Sequence, residues 1–152
     1  NIFLHSMPGL YETLDEVKKE LNDHDITQIF CLTNKSEIRA YSPDYFQAVE
    51  NSQLGGICII YNPVTDYGIP VDDKRLSDYH TTLIKAYEHL KVGNILVHCT
   101  GGIGRTGTFS VILLKMIGYT LDEALQITRN KGSGPESSEQ KDFCQNYQNT
   151  LG

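Results

Sequence analysis

The stretch His98-Cys99-Thr100-Gly101-Gly102-Ile103-Gly104-Arg105-Thr106 decides the reading of this chain. Five residues separate its cysteine from its arginine, and three of the five are glycine. A mainly apolar run over 94–97 precedes it and another over 109–117 follows it. That pattern predicts a strand, a tight loop and a helix. A thiol at the mouth of such a loop meets a row of backbone N–H groups and a helix N-terminus, and both favour negative charge. The segment therefore reads as an anion site with a thiolate built into it.

Outward from this loop the chain alternates in type. Residues 2–4 read as a short edge strand, 26–32, 56–61 and 94–98 as buried strands. Helical spacing appears at 13–21, at 76–90 and, from Thr106, over 106–117, ending at Gly118. Ser42-Pro43-Asp44 opens a short helix. Thr120-Leu121-Asp122-Glu123 is a capping box for a helix reaching about Lys131. Ser137-Ser138-Glu139-Gln140 is a second, for a last helix reaching Leu151. Apolar strands alternating with helices predict an α/β fold with a largely parallel central sheet flanked by helices. Ligands of such sheets sit at the C-terminal ends of the strands, where the glycine loop falls.

The length of 152 residues suits a single domain, 1–152, and 39% hydrophobic with 21% charged residues is the composition of a soluble globular chain. No stretch is apolar enough to span a bilayer and no leader is visible, so no membrane partner is expected. The net charge of −6 and the lack of a basic stripe argue against nucleic acid. The four cysteines, Cys31, Cys58, Cys99 and Cys144, form no CxxC pair and no zinc spacing with histidine. Cys31 and Cys58 lie in apolar runs and read as buried thiols, which fits a reducing, cytoplasmic setting. No metal and no cofactor is implied. His5, His24, His80 and His89 are scattered and read as surface or helix residues.

Two decoys fit the loop less well. Gly102-Ile103-Gly104-Arg105-Thr106-Gly107 is literally a GxGxxG between strand and helix. A dinucleotide site needs a further strand with an acidic residue about 20 positions on, whereas another helix follows Gly118. A Walker A loop needs a lysine before Thr106, and none is there. An inert glycine turn leaves the guanidinium of Arg105 buried and unexplained.

His98-Cys99 followed by five residues and Arg105-Thr106 resembles the active-site loop of the cysteine-based protein tyrosine phosphatases. The resemblance implies an upstream aspartate in an Asp-x-Gly-x-Pro setting. Asp66-Tyr67-Gly68-Ile69-Pro70 supplies it, 33 positions before Cys99. The chain is most similar to the small dual-specificity group, its kinase-associated type above all, which Met7-Pro8-Gly9, the run from Cys31 to Glu37 and Gly132-Ser133-Gly134 also resemble.

The resemblance implies a role for each residue. Cys99 would be the nucleophile, its thiolate favoured by the helix end, the loop amides and Arg105. Arg105 would clasp two phosphate oxygens in a fork. Thr100, Gly101, Gly102, Ile103 and Gly104 would present backbone N–H groups. Thr106 would donate its hydroxyl to the sulfur, or cap the helix. His98 precedes the cysteine in a strand, so its side chain is expected on the opposite face, supporting the loop. Asp66 would protonate the leaving oxygen and then activate water, on a flap given its freedom by Gly68 and its stiffness by Pro70. Gln140 would position that water or complete the capping box, and Glu136 stands where larger relatives carry another glutamine. Asp72, Asp73 and Asp78 read as solvated loop and helix-start charges.

A short chain implies a shallow pocket that takes phosphotyrosine and also phosphoserine or phosphothreonine of proteins, a phosphorylated kinase among them. A monomer is expected. Neutral residues from Thr100 to Ile103 disfavour inositol phosphates and phosphoinositides, which remain the alternative substrates. A phosphoprotein-binding module without turnover would lack Cys99, Arg105 or Asp66. A rhodanese-like or Cdc25-like cysteine loop would lack the Asp66 flap.

Overall fold

The computed structural model describes residues 1–148. Its strands are β1 (Ile2–His5), β2 (Ile26–Cys31), β3 (Gln53–Leu54), β4 (Ile57–Tyr61) and β5 (Asn94–His98). Its helices are α1 (Leu14–Asp23), α2 (Lys35–Tyr41), α3 (Pro43–Glu50), α4 (Asp73–His89), α5 (Gly104–Ile117), α6 (Leu121–Asn130) and α7 (Ser138–Asn146). The strands form one sheet in the order β1-β5-β2-β4-β3. β1/β5, β5/β2 and β2/β4 pair parallel, and only the two-residue β3 runs antiparallel, against β4. The fold is thus α/β with a largely parallel sheet, as the alternation of segments predicts.

Strand alternation divides the core in two. Ile95 and Val97 of β5, with Phe30 of β2, pack under Tyr79, Leu83, Phe109, Ile112 and Ala124 of α4, α5 and α6. Leu96, Ile29 and Cys31 point the other way, to Val17, Leu21, Ile38, Tyr45 and Val49 of α1, α2 and α3. Each fully buried Phe or Leu contributes roughly 1.5–3 kcal/mol. α5 is covered on nearly every side. The hydroxyls it carries inward are satisfied within the helix: Thr108 donates to the Gly104 carbonyl at 2.7 Å and Ser110 to that of Thr106 at 2.7 Å.

Capping residues fix the helix starts. Thr13 with Glu16, Thr120 with Glu123 and Ser137 with Gln140 all form complete capping boxes. Asp72 accepts from Arg75 N and caps α4 three residues before the expected start. α2 is not apparent from periodicity. It is seven residues long, and its signal is the cap: Asn34 accepts from the backbone of Glu37. α7 ends at Asn146, because Tyr147 turns to an extended backbone; the expectation for residues 149–151 lies outside the described residues. Cys58 corrects the reading of the thiols: it is exposed, while Cys31, Cys99 and Cys144 are buried. Cys58 lies opposite Gln28 and Gln53 near the β3 edge of the sheet, so an apolar sequence neighbourhood did not bury it. No described helix is long and apolar enough to cross a membrane.

Candidate active site

Three parallel neighbours, β5, β2 and β4, end side by side, and the loop after each delivers part of one site. Backbone bonds hold these loops in register: Leu32 N–H donates to the His98 carbonyl at 3.0 Å and Val64 N–H to that of Leu32 at 3.0 Å. The loop after β5 starts at Cys99, which is buried. It turns at Gly102, whose φ of +76° suits glycine. A side chain there would also stand 2.8 Å from the His5 backbone. α5 begins at Gly104, two residues before the expected start, with Ile103 at the N-cap position. Thr106 is therefore inside the first turn and does not cap. Its buried hydroxyl has no hydrogen-bond partner among the described residues, the Cys99 sulfur included.

Arg105 is the most connected side chain of the site and only 2% exposed. Its Nη1 donates to Glu37 Oε2 at 2.8 Å and to the Val64 carbonyl at 3.0 Å. Its Nη2 donates to Glu37 Oε1 at 3.4 Å and to Thr100 Oγ1 at 3.2 Å. Asp66 Oδ1 stands 3.4 Å from Nη2, so the flap lies over the site in this conformation. Burial opposes the charge, and the Glu37 carboxylate, with Cys99 and Asp66, outweighs it and raises the arginine further. Arg105 Nε alone is left buried without a partner.

His98 lies on the other face, as strand alternation requires. Its ring stands edge-on to Tyr45 of α3, 2.7 Å from the phenol oxygen, and its Nδ1 is 3.0 Å from the Cys99 carbonyl. A carbonyl only accepts, so Nδ1 carries the proton and the phenol donates to Nε2. Burial pushes the ring's pKa down to about 3, so it is neutral.

Gln140 completes its capping box with Oε1, which accepts from the backbone N–H groups of Glu136 and Ser137 at 2.9 and 3.2 Å. Its amide Nε2 donates to the Gly68 carbonyl at 3.2 Å, and Ser137 Oγ donates to the Tyr67 carbonyl at 2.8 Å. The start of α7 thus ties down the segment just after Asp66. Asp66 itself is 57% exposed. Ser133 secures the loop from below, donating to the Gly102 and Ile103 carbonyls at 2.8 and 2.9 Å. On the far side of the flap, between residues 62–71 and α4, is a cavity of about 610 Å³; Cys99 and Arg105 do not line it.

The loop residues from His98 to Thr106, with Asp66 and Gln140, are all brought to one end of the sheet. Glu37, Tyr45 and Ser133 join them without having been singled out for a role, and Ser137, expected only as a helix cap, joins them as well. Glu37 is 68 positions from Arg105, beyond any local pattern. A family model for the phosphatase domain of Swiss Army Knife proteins, of the dual-specificity tyrosine-phosphatase type (PTP-SAK, DSP-PTPase), matches residues 9–146.

The chain belongs to this phosphatase family. Members of the family are cysteine-based hydrolases of the tyrosine and dual-specificity classes. The chain is similar to mouse protein tyrosine phosphatase type IVA 3, 30% identical over 93 residues, which are 60% of this chain and 53% of that protein. It thus spans about half the length of that curated relative. Among solved structures, the chain resembles Tk-PTP in its active form, with a TM-score of 0.72 and 26% identity over 95% of this chain and 88% of that one. It shares the fold of the kinase-associated phosphatase solved with its catalytic-site cysteine changed to serine. There the TM-score is 0.72 and the identity 20%, over 94% of this chain and 83% of that one.

Proposed function

We propose that this chain is a single catalytic domain that hydrolyses phosphate monoesters of phosphotyrosine, and of phosphoserine or phosphothreonine, in proteins. The observation that carries the reading is a pair of buried polar groups, Arg105 Nε and the Thr106 hydroxyl, neither of which has a hydrogen-bond partner among the described residues. Both belong to the first turn of the helix that follows Cys99. A buried unpaired donor costs about 1–3 kcal/mol. Two in one turn, beside a thiol and a helix N-terminus, fit a tetrahedral oxyanion held by Arg105 and the backbone N–H groups of Thr100 to Gly104.

On this reading Cys99 attacks phosphorus as a thiolate while the ester oxygen leaves. Asp66, hinged over the site beside Arg105, gives that oxygen its proton. The resulting carboxylate then takes a proton from water as the water attacks the phosphocysteine, and inorganic phosphate and the free thiolate are released. Arg105 holds the equatorial oxygens in both steps, its own orientation fixed by Glu37 and the Val64 carbonyl. Thr106 can turn its free hydroxyl to the leaving sulfur in the second step. His98 and Tyr45 hold the Cys99 backbone and touch no substrate. Gln140 serves the flap through Gly68, since its carbonyl oxygen is engaged by two backbone donors. A cytoplasmic phosphoprotein, a phosphorylated kinase among the candidates, is the partner this site suits.

The test is a panel of tyrosine-, serine- and threonine-phosphorylated peptides, with inositol phosphates alongside, against wild type and Cys99→Ser. Phosphopeptides should turn over faster than inositol phosphates, and Cys99→Ser should abolish both activities. Turnover by Cys99→Ser would remove the nucleophile assignment. Faster release from inositol phosphates would replace the protein substrate.

A further inference from the structure

Towards the end of α5 that lies away from the phosphate loop, the surface opens into a second cavity. Its volume is about 480 Å³, within the roughly 300–1,000 Å³ of small-ligand sites. Residues of β1, α5 and α6 and the turn after α4 line it. Strand alternation puts Ile2 and Leu4 of β1 on one face, and with Leu90 and Leu114 they make the walls apolar. Neither Cys99 nor Arg105 is among the lining residues.

Three features set this cavity apart from scattered apolar surface. The first is what its lining leaves exposed. Ile117, Tyr119 and Ile127 are all exposed to water, and all three line this one concavity. Single exposed hydrophobic side chains are ordinary, whereas a group of them round a cleft marks a site that something apolar covers. A protein partner would need about 800 Å² of matching surface on each side. Apolar exposure gathered round a cavity suits a small molecule.

The second feature is charge. The chain has 19 aspartates and glutamates against 13 lysines and arginines, yet no carboxylate lines the cavity and two lysines do. Lys91 is already engaged: its Nζ donates to the two Glu88 oxygens at 2.9 and 2.8 Å and stands 4.9 Å from the centre of the Tyr87 ring. Lys131, exposed just past α6, has no side-chain partner among the described residues.

The remaining polar groups are the third feature, because they are committed elsewhere. Ser110 Oγ donates to the Thr106 carbonyl at 2.7 Å and Thr128 Oγ1 to that of Ala124 at 2.8 Å. The Leu114 and Thr128 carbonyls, in the closing turns of α5 and α6, accept from Tyr119 N–H at 3.1 Å and Ser133 N–H at 3.2 Å. They therefore make no cation site, and Lys131 is the free charge of the cavity.

We propose that this cavity binds a small amphipathic carboxylate, its aliphatic tail against Ile2, Leu4 and Leu114 and its head group beside Lys131. The tail supplies the affinity, about 25 cal/mol for each Å² of apolar surface taken from water. Lys131 supplies the orientation and the preference for an anion. The site stands whether or not the chain is a phosphatase.

The test is calorimetric titration with sodium decanoate below its micelle concentration, with amide NMR spectra to place it. Decanol and decyltrimethylammonium carry the same tail under a neutral and a cationic head. Decanoate should bind with one equivalent, more tightly than either, and shift the amides of Leu114, Ile117 and Ile127. Lys131→Glu, at an exposed position, should weaken it about 3- to 10-fold or more. Ile127→Trp, which fills the cavity from its exposed side, should weaken it about tenfold, and both variants should keep the wild-type circular dichroism. Absence of binding, equal affinity for the three head groups or unchanged affinity in either variant overturns the proposal. So do shifts confined to Thr100, Gly101, Gly102 and Gly104, which would place the carboxylate on the phosphate loop.

Discussion

Glu37 and Arg105 face each other across the floor of the site in a two-point ion pair, Oε2 to Nη1 at 2.8 Å and Oε1 to Nη2 at 3.4 Å. The arginine is almost wholly buried, so the pair is shielded from water and holds the guanidinium plane in one orientation. Glu37 is delivered by α2, whose start is set by the Asn34 cap. A residue of the helix that follows β2 thus aims a residue at the start of the helix that follows β5.

Glu37→Ala should therefore lower kcat/KM for a phosphopeptide by about 10- to 100-fold, some 1.4–2.7 kcal/mol of transition-state stabilisation. Glu37→Gln, which keeps one acceptor, should recover part of that. Steady-state kinetics of both variants check it; wild-type kcat/KM in Glu37→Ala would show that the Val64 carbonyl and Thr100 suffice to orient Arg105.

Gly107 has a different constraint. A Cβ on it would lie 2.2 Å from Gly134 N and 2.4 Å from Gly134 Cα, against backbone that cannot yield cheaply. Gly107→Ala should destabilise the fold by about 1–3 kcal/mol or more. It should also reduce turnover, because the 133–134 strap holds the Gly102 and Ile103 carbonyls. Gly101→Ala, with nothing within 4 Å of its added carbon, is the control for stability. Equal urea midpoints for the two variants would contradict the close approach.

The sequence carried more of the site than of its supports. Cys99, Arg105 and Asp66 were legible because a short loop with a required spacing, and a flap motif upstream of it, are local patterns. The parallel sheet was legible because its strands are short, mainly apolar segments alternating with helical ones. Glu37, Tyr45 and Ser133 were not, since each acts across a gap set by tertiary packing. Cys58 misled for the same reason: apolar neighbours in sequence do not say which end of an edge-proximal strand is covered. The α2 helix, short and without an apolar stripe, left only the Asn34 cap as a sign.

His98 makes stability depend on pH. Burial holds its pKa near 3, with His5 and Arg105 adding to that and the bond to the Cys99 carbonyl opposing it. In the unfolded chain the ring takes a proton near 6.5. Between those values the unfolded state binds more protons, so unfolding free energy falls as the pH drops, by up to about 1.4 kcal/mol per pH unit from this group. Urea midpoints of wild type should fall more steeply from pH 6.5 to 4 than those of His98→Gln. Parallel slopes would mean that His98 is protonated in the fold.

Ser137 offers a way to loosen the flap without touching the chemistry. Its hydroxyl both caps α7 and donates to the Tyr67 carbonyl, next to Asp66. Ser137→Gly keeps a residue tolerated at the cap, at a loss of a few tenths of a kcal/mol, but removes the tether. If the tether keeps Asp66 poised, the variant should lose about 3- to 10-fold in kcat on alkyl-type phosphates, whose leaving oxygen needs a proton. p-Nitrophenyl phosphate, whose phenolate leaves without one, should be little affected. The ratio of the two rates is the measurement. An equal fall on both substrates would mean that Ser137 supports the phosphate loop and not the flap, leaving Gln140 and its bond to the Gly68 carbonyl as the restraint on Asp66.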